Sequence, residues 1–294
     1  MRVTSGYQFD VYTRNIRDAQ ASYFLAQERV LTGKRFNRVS EDPVAALNSL
    51  NAKSLRARIE QLDKNLMVAK EYTGTTETVL GEANTALQRA YALAIQGSSD
   101  ATTQESRAAM ANEIAAIQQR IVDLGNTRGV NGKYMFAGQA SGTKPFDASG
   151  GVLTFSGDTL PINVEVRPAE NMRANLENAD VLFGDVYTAL EDLRNDLLGG
   201  DIGALSDQDI DAIRTSLDTI GVARGSNGTK LNEITRLQDE NGRRIDDLTK
   251  TVSDNEDVDM AEAITKMQMA ETAYTAALQV TSKGFGLSLM DFIR

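Results

Sequence analysis

The strongest constraint on this chain is a run of apolar and small residues spaced alternately four and three apart. Leu55, Ile59, Leu62, Leu66, Ala69, Thr73, Thr76, Leu80, Ala83, Leu87, Ala90 and Ala94 hold that spacing without a slip. A narrow seam sustained over so many heptads predicts a coiled-coil helix, because the 3.5-residue repeat keeps one thin stripe against a partner. Read as one helix from Pro43 to Gln96, about 54 residues at ~1.5 Å each, it spans roughly 80 Å. A rod of that length cannot fold back into a sphere.

The partner is legible in the second half. Ile210, Ile213, Leu217, Ile220, Arg224, Asn227, Leu231, Ile234, Gln238, Asn241, Ile245, Leu248 and Val252 keep the same register. Four of these, Arg224, Asn227, Gln238 and Asn241, are polar. Polar residues in a seam either fix helix register or line a gap between subunits, and the sequence leaves both readings open. Shorter stripes flank the seams: Tyr12, Ile16, Ala19, Tyr23, Ala26 and Val30 at one end, Ala263, Met267, Ala270, Tyr274 and Ala277 at the other, and Met110 to Leu124 between. The terminal stripes are Ala-rich and too thin to bury much surface alone. They are expected to pack between subunits, and the long seams within one.

The centre of the chain changes character. Seven of the 23 Gly fall from Gly129 to Gly157, and three of the four Pro are Pro145, Pro161 and Pro168. Ile162, Val164 and Val166 alternate with Asn163, Glu165 and Arg167 at strand period two. Asn131-Gly132 and Gly157-Asp158 are hairpin-turn dipeptides. The expected fold is mainly α: a long antiparallel coiled-coil rod with a small β-rich insertion at its tip. The expected domains are a terminal helical one (1–45 with 255–294), a helical rod (46–130 with 176–254) and the insertion (131–175).

Composition then excludes function classes. With no His and no Cys, the chain has no imidazole base, thiol nucleophile or soft metal ligand. No catalytic residue, cofactor or metal is assigned. A net charge of −10 argues against a nucleic-acid binder, and no apolar run approaches a membrane span. The first twenty residues carry no apolar signal core, so either a cytosolic protein or export without a cleaved leader is expected. Residues 1–60 hold 10 Lys and Arg against 6 Asp and Glu, while residues 201–260 hold 7 against 14. The two ends therefore complement each other in charge.

Specific motifs resemble the bacterial flagellin family. Leu31-Thr-Gly33-Lys34-Arg35, followed by Ser40-Glu-Asp42-Pro43-Val-Ala-Ala46, is similar to the signature near the N-terminus of those proteins. Physically, Gly33 closes one helix, and Ser40 or Asp42 caps the next with Pro43 in its first turn. Gly132, Tyr134, Phe136 and Gly138, with Pro145 and Phe146, look like a hairpin of the members that join hook to filament. The ending Ser288 to Arg294 is similar to the tail of those same members.

The resemblance implies a structural, non-enzymatic subunit of the flagellum. It implies an annular homo-oligomer between hook-associated protein 1 and the flagellin filament. It also implies type III export to the cell exterior, with a cytosolic export chaperone. Expected subunit-interface residues are Tyr12, Ile16, Tyr23, Val30, Ala263, Met267, Ala270, Tyr274, Leu287, Leu289, Phe292 and Ile293. The alternatives are a minor filament flagellin or, in another class, a cytosolic coiled-coil signalling adaptor.

Three further features have plainer readings. The acidic runs Asp207 to Asp211 and Asp254 to Asp259 lack the EF-hand Gly and Glu, so solvated helix starts are expected. Asn227-Gly-Thr229 fits a glycosylation sequon but lies in a helical seam. Lys34, Arg35 and Arg38 form either a docking surface or a solvated loop.

Overall fold

A computed structural model of the chain describes residues 5–149 and 151–292, with the side chains of residues 5, 6, 8 and 284–292 outside the description. Seven helices are described: α1 Ser5–Thr32, α2 Pro43–Gly97, α3 Gln104–Gly125, α4 Ala179–Gly199, the short α5 Ile202–Ala204, α6 Ile210–Glu256 and α7 Met260–Phe292. A π-helical turn, Leu205–Asp209, leads into α6. The fold is mainly helical with a small β portion, as the seams and the Gly/Pro-rich centre predict. The chain divides into two compact units, residues 1–58 with 243–294, and residues 59–242.

The second unit holds the large core. Eleven of the twelve seam positions on α2 are buried, from Ile59 to Ala94, and Leu66, Leu80 and Leu87 are sealed completely. The twelfth differs from expectation: Leu55 is 50% exposed, while Ala52, Ser49 and Ala45 on the preceding turns are buried, so the buried stripe passes beside Leu55 rather than through it. On α6, Ile213, Ile220, Ile234 and Leu237 are buried, while Leu217 and Leu231 are only half-buried. Leu237 lies outside the sequence-derived seam. Met110 to Leu124 of α3 and Leu182 to Leu197 of α4 complete this core.

Three of the four polar seam residues of α6 bond to α2. Arg224 Nε donates to Glu77 Oε1 at 2.8 Å, Asn227 Nδ2 to the Thr73 carbonyl at 2.8 Å, and Gln238 Oε1 accepts from Lys70 Nζ at 3.1 Å. Buried polar groups left unpaired are costly, so these bonds favour one register of α6 on α2. Asn227 is buried within a helix, which leaves no room there for a glycan.

The Gly/Pro-rich centre makes two antiparallel hairpins, β1 Phe146–Asp147 with β2 Thr154–Phe155, and β3 Asn163–Arg167 with β4 Glu170–Arg173. Asn131-Gly132 does sit in a tight turn, bracketed by the Gly129 N–H to Lys133 carbonyl bond of 2.9 Å. Gly157-Asp158 does not form a hairpin turn. Instead Asp158 accepts the Gln139 and Ala140 N–H groups at 2.8 Å each, a bracket that needs the backbone at Gly138 to pass close by. Gly138 has φ +63°, and a Cβ there would strike Asp158. The β3–β4 turn is Pro168-Ala169, with Ala169 at φ +64° in a position that usually takes Gly.

This β segment shares the helical core. Phe146 is 1% exposed and its ring lies 5.1 Å from that of Phe183 on α4; Phe136 lies 5.2 Å from the same ring. Packed aromatic edges of this kind add to area burial, and they bind residues 136–146 to α4.

Candidate assembly interface

The first unit is built differently, and its geometry starts at a turn. α1 ends because Gly33 adopts φ +67°, its N–H donating to the Arg29 carbonyl at 2.9 Å. After a short loop, α2 begins at Pro43, where Asp42 Oδ1 accepts the Ala45 N–H at 3.0 Å. Asp42 is therefore the cap, and Arg35 Nη2 holds its other oxygen at 3.0 Å. The turn is then pinned to the α6–α7 junction. The Val258 N–H donates to the Gly33 carbonyl at 3.0 Å and the Arg35 N–H to the Glu256 carbonyl at 2.6 Å.

Side chains reinforce that bridge. Glu256 receives Ser49, Lys53 and Lys34 together. Burial opposes its ionisation, yet the hydrogen bonds from Lys53, Ser49 and Lys34 outweigh it and hold the carboxyl at about 2. The sequence reading did not single out Glu256. An acidic residue within an acidic run gave no sign of three partners more than two hundred positions away. Lys34 and Arg35, expected on a docking surface or in a solvated loop, are engaged in ion pairs within the unit.

Beyond this bridge, α1 packs on α7. The two stripes meet: the rings of Tyr23 and Tyr274 stack 6.2 Å apart with 5° between planes. Ala263 is buried, while Tyr12, Ile16, Tyr23, Val30, Met267, Ala270 and Tyr274 are half-buried. One helix partner covers only one side of each stripe. Around it lie exposed apolar side chains: Phe24 (55%), Leu31 (78%), Met269 (66%) and Val280 (58%). A groove of about 460 Å³, lined among others by Leu25, Ala26, Arg29, Lys266 and Ala270, runs along the pair. Of the remaining predicted interface residues, the side chains of Leu287, Leu289 and Phe292 and all of Ile293 lie outside the described residues.

The other motif residues lie in the second unit. Gly132 turns with φ +74°, and the Tyr134 hydroxyl accepts from Arg128 Nη2 at 2.7 Å. Phe136, Gly138, Pro145 and Phe146 are buried. The acidic run at Asp207 is a correction to expectation. Asp209 is 3% exposed rather than solvated. Burial, with Asp196, Asp192 and Asp201 nearby, pushes its carboxyl up to about 7. Among the described residues no three His, Cys, Asp or Glu side chains converge as metal ligands, and no helix is long and apolar enough to cross a membrane.

Comparisons with known proteins agree with this architecture. Residues 8–141 match the model of the bacterial flagellin N-terminal helical region. The chain is 25% identical to flagellar hook-associated protein 3 of Escherichia coli K12, with 99% of each chain covered. It is 24% identical to the protein of the same name from Salmonella typhimurium LT2, with 100% of each covered. Among solved structures, a putative flagellar hook-associated protein from Vibrio parahaemolyticus has the same fold. Its TM-score is 0.66 at 18% identity, over 74% of this chain and 100% of that one.

Proposed function

We propose, for a chain related over its whole length to flagellar hook-associated protein 3, that it is a structural subunit of the bacterial flagellum at the junction between hook and filament. It does no chemistry; its work is to bind neighbours and transmit load. The observation that carries this reading is the half-covered helix pair α1–α7, which leaves Phe24, Leu31 and Met269 in solvent. Apolar surface at that density marks a binding face. Tyr12, Ile16, Tyr23, Val30, Met267, Ala270 and Tyr274, with the tail at Leu287, Leu289, Phe292 and Ile293, are the residues that would meet adjoining subunits.

In this reading the terminal segments 1–45 and 255–294 are the polymerising domain, and the seam-built helices with residues 131–175 form the body. The partners are further copies of the chain in a ring, hook-associated protein 1 on one side and flagellin on the other. A cytosolic chaperone would hold it before type III export. The flagellin-type N-terminal region also favours a second reading, a minor filament subunit.

Localisation on isolated flagella tests the first reading. Labelled chain is expected at one band between hook and filament. Labelling along the filament, or seeded growth of long filaments from purified chain, would establish the second reading instead. Ala270→Asp, placed on the half-buried stripe, is expected to leave secretion intact and abolish attached filaments.

A further inference from the structure

The chain contains three Asn-Gly dipeptides, Asn131-Gly132, Asn227-Gly228 and Asn241-Gly242, and the fold treats them in opposite ways. An asparagine followed by glycine is open to attack by the next backbone nitrogen on its own side-chain amide, since no Cβ shields that nitrogen. Two of the three lie within α6, with Asn227 5% and Asn241 8% exposed. Helical backbone points the following nitrogen away from the side-chain carbonyl and ties its N–H to a carbonyl one turn back. The Asn227 amide nitrogen, the leaving group in such an attack, is also held by the Thr73 carbonyl at 2.8 Å.

Asn131 and Gly132 are exposed and lie outside every helix and strand. The Lys133 N–H donates to Asn131 Oδ1 at 3.0 Å. That oxygen gathers negative charge when the side-chain carbon is attacked, so the donor is placed where it lowers the barrier. Only the exposed bond from Gly132 N–H to the Gly129 carbonyl, 2.9 Å, must open first. Bonds of exposed loops open at small free-energy cost.

We propose that Asn131 is a self-modifying position, which deamidates through a succinimide while Asn227 and Asn241 are protected by the fold. The Gly132 nitrogen forms a bond to Asn131 Cγ and loses its proton, and the Cγ–Nδ2 bond breaks with release of ammonia. Water then opens the ring at either carbonyl, giving aspartate or isoaspartate. The product carries a new carboxylate opposite an existing one. A methyl group on Gly129 would lie 3.5 Å from Asn131 Oδ1 and 3.6 Å from Glu71 Oε1, so both acids flank one small space. Glu71 Oε1 accepts the Val130 N–H at 3.2 Å, and repulsion there loosens this loop from α2.

The test uses the intact chain, held folded at mildly alkaline pH, with peptide mass mapping and an isoaspartate assay over time. The peptide with Asn131 is expected to convert at least about tenfold faster than those with Asn227 and Asn241, whose exposure requires opening of the core. In denaturant the three rates should come together. Asn131→Gln should abolish isoaspartate formation in the folded chain without altering its helical content. Equal rates in the folded chain, or faster conversion in α6, would overturn the proposal. So would an inert Asn131 in folded chain whose three sites all convert once unfolded.

Discussion

Lys34 Nζ lies 2.8 Å from Asp257 Oδ1, across 223 residues of sequence, and 3.2 Å from Glu256 Oε2. One ammonium thus ties the turn between α1 and α2 to the turn between α6 and α7. The Asp257 hydrogen bond, against a smaller opposing effect of burial and aided by Glu256, raises the Lys34 pKa. The lysine and its two carboxylate partners are therefore all charged at neutral pH. A basic turn motif and an acidic helix junction are therefore one structural device, which sets where α1 ends and α7 starts.

Glu256→Gln should weaken the first unit by about 2 kcal/mol near neutral pH, since it removes a charge that accepts three hydrogen bonds. The pH dependence follows from its depressed pKa. Unfolded, the carboxyl titrates near its ordinary 4.5; folded, at about 2. The stability it supplies is whole above 4.5 and is lost as pH falls towards 2. Thermal unfolding followed from pH 6 to pH 2 should show that loss in the wild type, and a shallower acid slope in the glutamine variant. Parallel slopes would remove Glu256 from the latch.

Asp209 should behave with the opposite sign. Its carboxyl titrates at 3.8 when unfolded and about 7 when folded, so folding takes up a proton between those values. Stability therefore falls as pH rises from about 4 to about 7, and the deficit persists above. Asp209→Asn keeps the shape without the buried charge. It should raise stability by about 2 kcal/mol at pH 8 and change little at pH 4. Denaturant midpoints at the two pH values decide the matter, and an equal effect at both would refute the assignment.

The helical fold was legible because heptad spacing is a local signal repeated many times. Each position from Ile59 to Ala94 votes for the same face, and one misread residue, Leu55, changes little. Capping was equally legible, since Gly33 and Asp42-Pro43 act on their own neighbours. What failed to show was anything set by distant contacts. Glu256 and Asp209 are both acids in acidic runs; one is held by cations from α2 and the α1 turn, the other is packed against α4 acids. Residues 131–175 looked like an appended domain because Gly and Pro break the helical period. Phe136 and Phe146 find their shared partner Phe183 only in three dimensions.

Substitutions along α2 and α6 should separate core from surface. Leu66→Ala and Leu237→Ala, at fully and nearly fully buried sites, should each cost about 3 kcal/mol. Leu55→Ala, at a half-exposed site on the same heptad stripe as Leu66, should stay within about 0.5 kcal/mol. Chemical unfolding with an unchanged m-value would measure this directly. A Leu55 cost equal to that of Leu66 would mean that the first unit buries Leu55 after all.

The final prediction concerns the α1–α7 pair. Tyr274→Ala removes the stacked partner of Tyr23 and should destabilise the pair by about 1 kcal/mol, lowering hydrogen-exchange protection along both helices. Met269, on the same helix, is 66% exposed and faces away from that contact. Met269→Asp should leave the soluble chain's unfolding midpoint unchanged within about 0.5 kcal/mol. In a strain lacking the native protein it should nonetheless reduce attached filaments sharply, because an uncompensated charge would be carried into an apolar contact between subunits. The two variants thus distinguish a residue that builds the helix pair from one that the pair presents. Normal filament attachment with Met269→Asp, alongside intact secretion, would take the outer face of α7 out of the interface and leave only the half-buried stripe.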